Sequence, residues 1–200
     1  MIDPGWKGLS LVGAYLISGI PFGYLLFKLW TGGDIRQAGS GNIGATNVFR
    51  SSGKWPAIVT LLLDIGKGAL SVLLARWLTT GDPVWEAAAA FASVLGHCHP
   101  IYLRFRGGKG IATGCGAYAV LAPLPMGLSL LVFVAAVLIT RMISVGSICA
   151  GLALPLFVIW LRPDRAVLAS VAASALLVIV RHHANIRRIL AGSEHRLERS

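Results

Sequence analysis

The chain has 200 residues, of which 56% are hydrophobic and only 13% are charged, and its mean hydropathy is +0.73. This composition excludes an ordinary water-soluble domain of the same length and predicts an integral membrane protein. The formal net charge of +10 at pH 7 is compatible with a nucleic-acid binder, but the cations lie between long apolar runs. They fit cytoplasmic loops, anionic headgroups or anionic substrates better, so we expect the lipid bilayer as a partner and no nucleic acid.

Six apolar runs are candidates for crossing a bilayer, which takes about 20 mostly apolar residues in a helix. The first run has only Lys7 before it and no small-residue cleavage site, so we expect a retained span and no signal peptide. The run Ile111–Ile139 is too long for one span, and Pro123 and Pro125 predict two short helices joined by a tight turn. The other five runs are Leu9–Leu29, Pro56–Leu78, Val84–Leu103, Val145–Leu161 and Ala166–Val180.

The distribution of Lys and Arg favours seven spans over six. With seven spans and the N-terminus outside, one side holds only Lys7, Arg76, Arg162 and Arg165. The other side holds twelve cations: Arg36, Arg50, Lys54, Arg104, Arg106, Lys109, Arg141, Arg181, Arg187, Arg188, Arg196 and Arg199. We therefore predict an all-α polytopic membrane protein of about seven transmembrane helices. Residues 1–200 form a single domain, and the C-terminus is cytoplasmic.

Three polar segments interrupt this pattern, and the first lies between the first two spans, from Gly39 to Arg50. Glycines let a backbone approach a ligand and present consecutive N–H groups, which is how loops hold phosphate oxygens. The alternative is a flexible cytoplasmic loop, because Gly, Ser and Asn are common in loops. Its candidate ligand-binding residues are Ser40, Gly41, Asn42, Gly44, Thr46, Asn47 and Arg50.

The second segment, Gly96–Thr113, contains Gly-Gly-Lys-Gly directly before an apolar helix, which indicates another anion-binding turn. The spacing is not that of a Walker A loop, and no soluble βαβ unit surrounds it. Lys109 could instead serve only as a positive-inside anchor. The candidate binding residues here are His97, Gly107, Gly108, Lys109, Gly110 and Thr113.

The third segment, His182–Glu194, continues from the last span, and the alternative for it is a solvated basic tail. On a helix, His182, Asn185 and Arg188 recur three residues apart and share one face. The predicted topology places all three segments on the cytoplasmic side, which favours one shared site. Further candidates are Glu194 in this segment and Arg141, Ser144 and Ser147 at the start of the sixth span.

Other polar residues within the apolar runs have less specific interpretations. Asp64 and Lys67 are three residues apart in the second span and are expected to neutralise each other inside the bilayer. His97, His99, His182 and His183 raise the possibility of a metal-dependent hydrolase. Cytoplasmic carboxylates do not cluster with them, so we expect no metal and no other cofactor.

Taken together, the segments resemble the signature of the bacterial acyl-phosphate:glycerol-3-phosphate acyltransferases, the PlsY family. That signature reads G-S-G-N-x-G-A-T-N-x-x-R, then G-H-x-x-P-x-x-x-x-F-x-G-G-K-G-x-A-T, then H-x-x-N-x-x-R-x-x-x-G-x-E, and this chain matches it in order. The resemblance implies transfer of an acyl group from acyl phosphate to glycerol 3-phosphate, giving lysophosphatidic acid and inorganic phosphate. It also implies a multi-pass protein of the bacterial inner membrane with its active site facing the cytoplasm.

We predict direct attack of the glycerol hydroxyl on the acyl carbonyl, because no paired nucleophile and base stand out in the sequence. The resemblance implies that a substrate phosphate takes the proton. Its implied catalytic residues are Ser40, Arg50, Lys109, Ser147, His182 and Asn185. Chemistry agrees, because an acyl phosphate is already activated and the protein needs mainly to orient groups and stabilise charge. An organic-anion transporter remains an alternative, although a pathway needs polar residues on both sides of the membrane.

Overall fold

The computed structural model describes residues 4–162 and 164–197; Arg199, one of the twelve predicted cytoplasmic cations, lies outside them. The described residues form α-helices joined by loops and two short 3-10 turns, Ile35–Gln37 and Ile101–Leu103, with no strand among them. The helices are α1 Pro4–Gly19, α2 Phe22–Thr31, α3 Ala45–Ser52, α4 Lys54–Leu78, α5 Pro83–Cys98, α6 Ile111–Leu121, α7 Pro123–Thr140, α8 Ile143–Leu161, α9 Arg165–Arg181 and α10 His183–Leu190.

Four helical segments of the described chain are long and apolar enough to cross a membrane: Gly5–Thr31, which joins α1 and α2, and the helices α4, α7 and α8. The pair α9 and α10, bent by 57°, adds a fifth if it counts as one span. Helix α5 has 16 residues and α6 has 11, which is short of the roughly 20 that a full crossing needs. The count of seven spans thus stays a prediction.

Proline accounts for most differences between the predicted spans and the helices. The break between Ile111–Leu121 and Pro123–Thr140 is confirmed, since Ala122 alone separates the two helices. The predicted span Val84–Leu103 was wrong at its end, because α5 stops at Cys98. Pro100 disfavours helical geometry at His99, and the chain turns there into the second polar segment.

Helix α4 lies at the centre of the fold and contacts α1, α2, α3, α5 and α6. Its contact with α6 is a close backbone approach made possible by glycine on each helix. A methyl group on Gly68 would overlap the carbonyl oxygen of Thr113, and one on Gly116 would overlap that of Ile65. Small residues at helix crossings are the usual means of packing helices in membranes.

The predicted neutralising pair within α4 is confirmed. Lys67 Nζ lies 2.7 Å from Asp64 Oδ1, and both side chains are only 3% exposed. Lys67 also donates to the carbonyl oxygen of Ile20 at 2.8 Å, which lies at the break between α1 and α2. Such a buried charge pair is tolerated because each partner neutralises the other and Lys67 is also hydrogen-bonded.

Successive helices run between two ends of the bundle, and charge differs between these ends. At one end Lys7 Nζ pairs with Asp82 Oδ2 at 3.1 Å and Arg76 pairs with Glu86 at 2.8 Å. At the same end Arg162 donates to the carbonyl oxygen of Leu121 at 2.6 Å. The opposite end carries the three polar segments.

Candidate active site

A cavity of about 840 Å³ opens among the helices where the three polar segments meet. Its walls come from α3, α4, α5, α6, α7, α8, α9 and α10. Most residues that the sequence singled out line it: Ser40, Asn42, Gly44, Thr46, Asn47, Arg50, His97, Lys109, Gly110, Ser144, Ser147, His182, Asn185, Arg188 and Glu194. The polar segments therefore form one site, although the first and the third are more than 100 residues apart in the chain.

The cavity continues from this polar mouth into an apolar slot. On α9 its lining extends from His182 back to Val171, which is about 16 Å at 1.5 Å per residue. Leu130 and Phe133 of α7 and Leu154 of α8 line the same slot. A ligand with a charged head and a long hydrocarbon tail fits such a cavity.

Asn47, the third residue of α3, organises the first polar segment. Its side-chain Oδ1 accepts from the Ser40 N–H at 2.8 Å, and its Nδ2 donates to the carbonyl oxygens of Ala38 and Asn42 at 3.0 and 2.8 Å. Gly39, which has a φ of 55°, leaves no room for a side chain, because a methyl group there would overlap Asn47 Oδ1. Asn47 therefore holds the loop and does not offer its amide to a ligand.

Some of the backbone N–H groups predicted to bind phosphate in the first polar segment are already hydrogen-bonded within the protein. The Ser40 N–H binds Asn47, the Gly41 N–H binds the carbonyl oxygen of Ala38 at 3.0 Å, and the Gly44 N–H binds Asn42 Oδ1 at 2.9 Å. Ala45 and Thr46 begin α3, where N–H groups have no partner within the helix. These two N–H groups, with the Ser40 hydroxyl, are available as donors to a ligand in the cavity.

The second segment turns sharply before α6. Arg104 and Phe105, with φ of 52° and 63°, adopt left-handed conformations that cost energy in non-glycine residues and often occur at functional loops. Arg181, which the sequence analysis named only among the twelve cytoplasmic cations, donates to the carbonyl oxygens of Gly107 and Gly108 at 2.7 and 3.0 Å. This cation at the end of α9 fixes the turn that carries Lys109.

The third segment is not one straight helix, because α9 ends at Arg181 and the chain bends by 57° into α10. His182 lies at the break, and its Nδ1 is 2.8 Å from the carbonyl oxygen of Val178. A carbonyl oxygen only accepts, so Nδ1 carries the proton and Nε2 of the neutral ring is the free acceptor. Ser147 faces the same cavity and donates to the carbonyl oxygen of Ile143 at 2.9 Å.

Glu194 is the centre of a hydrogen-bond network that ties the end of the described chain to α8 and α10. Its Oε1 accepts from Asn185 at 2.7 Å and from Ser144 at 2.8 Å, and its Oε2 accepts from Arg188 at 2.7 Å. Burial works to raise the pKa of this carboxyl, but the three donors outweigh burial and the pKa is lowered. Glu194 is thus an anion that holds donors in place, and its charge disfavours direct contact with phosphate.

Lys109 occupies the middle of the polar mouth, with its Nζ 2.6 Å from Asn185 Oδ1. Burial lowers its pKa from 10.5 to about 8; Glu194 opposes this shift, and the cations Arg188, Arg50 and Arg181 add to it. A partly buried ammonium surrounded by other cations gains most from an added anion. The mouth is therefore electrostatically incomplete without a phosphate or carboxylate ligand.

Arg50 supplies a second cation at the mouth. It lies on α3, is exposed, and lines the cavity. Its guanidinium has no hydrogen-bond or ion-pair partner within residues 4–162 and 164–197, unlike Arg188, which pairs with Glu194. Arg50 is free to make the two parallel hydrogen bonds that guanidinium forms with phosphate.

Five predicted binding residues do not line the main cavity, and each has another position. Gly41 and Gly107 border a smaller polar recess of about 480 Å³, together with Arg36, Arg106 and Arg181. Gly108 packs against His97, and Thr113 is fully buried at the contact of α6 with α4. Arg141 ends α7 in a left-handed conformation, and its carbonyl oxygen accepts from the Leu197 N–H at 2.8 Å.

The structure does not bring those five residues into the main cavity, and their contact with substrate stays a prediction. The reason is that a ligand-binding motif contains residues that hold the loop in place as well as residues that contact the ligand. A sequence motif does not distinguish the two kinds. Sequence reasoning also missed Arg181 and Asp64, of which the first supports the Lys109 turn and the second lines the cavity. In the sequence, only two features pointed to these residues: Arg181 directly follows a predicted span, and Asp64 is paired with Lys67 inside one.

Unpaired cations next to an apolar slot, in a bundle of membrane-length helices, define a class of protein. They define an integral membrane protein that binds an anionic head group beside a hydrocarbon chain, as enzymes of lipid metabolism do. Comparison with known proteins narrows this class to one family.

The family model for glycerol-3-phosphate acyltransferase matches residues 8–192. A glycerol-3-phosphate acyltransferase of Syntrophotalea carbinolica is 46% identical over 190 residues, covering 95% of this chain and 97% of that protein. The glycerol-3-phosphate acyltransferase 2 of Moorella thermoacetica is 47% identical over 194 residues, covering 96% and 98%. The chain belongs to the glycerol-3-phosphate acyltransferase family.

Solved structures of a relative agree with this assignment. The crystal structure of PlsY, an integral membrane glycerol 3-phosphate acyltransferase, in its glycerol 3-phosphate form superposes with a TM-score of 0.91 at 37% identity, covering 96% of each chain. Its lysophosphatidic acid form gives a TM-score of 0.88 at 36% identity, covering 96% of this chain and 95% of that one. The chain is thus a multi-pass membrane acyltransferase.

Proposed function

We propose that this acyltransferase uses acyl phosphate as its donor and transfers the acyl group directly to the 1-hydroxyl of glycerol 3-phosphate. The observation that carries the proposal is the cavity itself, in which Arg50 and Lys109 stand at the mouth of an apolar slot. A reaction between two phosphate-bearing substrates, one with a fatty tail, needs this combination. The neighbouring PlsY structures, in forms with glycerol 3-phosphate and lysophosphatidic acid, support the acceptor and the lipid product.

Each polar residue at the mouth has a proposed role in this reaction. The residues that hold the substrate phosphates are Arg50, Lys109, Ser147 and Asn185, while His182 accepts a hydrogen bond from a substrate hydroxyl at its free Nε2. The Ser40 hydroxyl and the free N–H groups of Ala45 and Thr46 bind the acyl phosphate head and polarise its carbonyl oxygen. Donors fixed in advance around a developing oxyanion lower the barrier because they need no reorganisation during the reaction.

In the proposed step, the glycerol oxygen forms a bond to the acyl carbonyl carbon, and the bond from that carbon to the phosphate oxygen breaks. Inorganic phosphate leaves, and the hydroxyl proton passes to a substrate phosphate. Among the described residues, Ser147 donates to a carbonyl oxygen, and Ser144 donates to Glu194, whose lowered pKa makes it a poor general base. This favours direct transfer over a covalent acyl-enzyme.

We also propose that seven spans cross the bacterial inner membrane and that the active site faces the cytoplasm. Helices α5 and α6, although short, run between the same two ends of the bundle as the longer helices. Asp82, just before α5, pairs with Lys7, while His97 near its end lines the cavity. Most cations lie at the cavity end, which is the distribution expected of a cytoplasmic face.

The test of the donor is release of inorganic phosphate by the purified protein in detergent, given palmitoyl phosphate with or without glycerol 3-phosphate. We expect release that depends on glycerol 3-phosphate and matches lysophosphatidic acid formation mole for mole. Palmitoyl-CoA and palmitoyl-acyl carrier protein serve as alternative donors in parallel. Equal or faster lysophosphatidic acid formation from either alternative would refute the acyl phosphate assignment, and phosphate release without the acceptor would indicate a hydrolase.

A further inference from the structure

His97 is buried in the last turn of α5 and has no role in the proposed reaction, yet its ring contacts the turn that carries Lys109. A methyl group on Gly108 would overlap His97 Nε2. The backbone of the same turn is bound to the end of α5, because the Gly108 N–H donates to the His97 carbonyl oxygen at 3.0 Å. His97 thus supports the residue directly before Lys109 through both its main chain and its side chain.

The second ring nitrogen of His97, Nδ1, is directed toward α4. His97 Nδ1 lies 3.7 Å from Asp64 Oδ1, and both side chains are at most 4% exposed. Asp64 is itself held by Lys67, 2.7 Å away. A continuous line of contacts therefore connects the buried ion pair of α4 to the Lys109 turn.

A second line of contacts starts from Lys67 and reaches the first polar segment. Lys67 donates to the Ile20 carbonyl oxygen at the break before α2. In α2, Gly23 lies so close to the Ile43 carbonyl oxygen that a methyl group on Gly23 would overlap it. The same ion pair thus supports both loops that border the cavity.

We propose that Asp64, Lys67 and His97 form a positioning cluster that fixes the Gly107–Gly110 turn and thereby the place of Lys109 in the site. The inference rests on the proposed role of Lys109 in binding phosphate. The cluster acts through Lys109. Displacing a positioned group by about 1 Å can cost on the order of 100-fold in rate, so loss of His97 should reduce turnover without unfolding the helices.

A suppression experiment tests the contact between His97 and Gly108. Gly108→Ala should reduce kcat/KM for glycerol 3-phosphate by about tenfold or more, because its methyl group collides with the imidazole. His97→Ala in that background should restore activity by at least about threefold, the coupling expected of two residues in contact. Truncating His97 should rescue only a variant that lost activity because its new methyl group collides with the imidazole.

Gly107→Ala is the matched control, because its methyl group would overlap the His97 carbonyl oxygen and Pro100, and not the imidazole. His97→Ala should therefore fail to rescue Gly107→Ala. Rescue of both glycine variants, rescue of neither, or full activity of Gly108→Ala would each overturn the positioning role.

A second comparison decides the matter if Gly108→Ala does not fold. His97→Gln should raise the KM for glycerol 3-phosphate by about tenfold, whereas His99→Gln, two residues further on and outside the cavity, should leave it unchanged. Equal effects of the two variants would contradict the inference. Calorimetric binding of glycerol 3-phosphate needs no donor, so it tests the positioning role independently of the acyl phosphate proposal. If the wild type binds glycerol 3-phosphate and His97→Gln binds it equally well, only the positioning role is overturned.

Discussion

Lys109 shows most clearly how the fold changes the chemistry of a single residue. An ordinary lysine stays charged far above neutral pH, but burial among cations brings the pKa of Lys109 to about 8. Its charge is therefore complete below that pH and is lost as pH rises through about 8. The neighbours that set this value are Glu194, Arg188, Arg50 and Arg181.

The pH dependence of kcat/KM for glycerol 3-phosphate should report this titration in the free enzyme. We expect kcat/KM to fall as pH rises above about 8, after correction for spontaneous hydrolysis of the donor. Arginine remains charged throughout this range, so in Lys109→Arg the alkaline fall should move to higher pH even if the maximum rate is lower. An unchanged alkaline limb in Lys109→Arg would show that another group controls it.

The residue types in the sequence predict which segments bind anions, but they do not predict which atoms contact the ligand. The sequence identified Lys109, Arg50 and Asn185 because charge and spacing are visible in the letters. It assigned Asn47 and Glu194 to substrate as well, whereas the structure uses them to hold a loop and three donors. A support and a ligand contact need the same residue types, so only geometry separates them.

At the scale of elements, breaks in helices build the site. The turn at His99 and Pro100 ends α5 below Lys109, and the bend at His182 directs α10 across the cavity mouth. The proline breaks could be predicted because proline lacks an N–H and restricts the residue before it. The bend at His182 could not, because it depends on contacts between Glu194, Asn185 and Ser144 that join distant parts of the chain.

The Glu194 network should therefore matter for both stability and activity. Glu194→Gln keeps the size of the side chain but removes the ion pair with Arg188, which lies at 2.7 Å. We expect the midpoint of thermal unfolding in detergent to fall, with a loss of about 1–3 kcal/mol, and the KM for glycerol 3-phosphate to rise. Ser193→Ala, an exposed neighbour, is the control for both measurements. Wild-type stability and KM in Glu194→Gln would contradict the network's role.

At the scale of the whole molecule, the arrangement concentrates binding chemistry at one end of an apolar bundle. The sequence predicted the all-helical architecture, the family and the meeting of three segments, since hydropathy and motifs are properties of the letters. The length of α5 and α6 was less predictable, because apolar runs continue past the residues where the helices end. Helix crossings such as Gly68 against Thr113 also have no signature in periodicity.

Cysteine labelling tests the proposed orientation. In a variant without Cys98, Cys115 and Cys149, a single cysteine at Gly81 should react with an impermeant maleimide added outside intact spheroplasts. A cysteine at Ser193 should react only after the membrane is permeabilised. The reverse pattern would show that the topology is inverted. Labelling of both sites from outside would show that an even number of spans, and not the predicted five, separates them.

Arg50 and Lys109, brought together at the mouth of the cavity, are the residues proposed to hold the substrate phosphates. The most direct measurement is the rate of lysophosphatidic acid formation by Arg50→Ala and Lys109→Ala, each purified in the same detergent as the wild type. We expect turnover to be nearly abolished in both, a loss of several kcal/mol in transition-state stabilisation, with membrane insertion intact. Arg104→Ala, which removes an exposed cation outside both cavities, should retain wild-type turnover. Wild-type activity in Arg50→Ala or Lys109→Ala would contradict the assignment of this cavity as the active site.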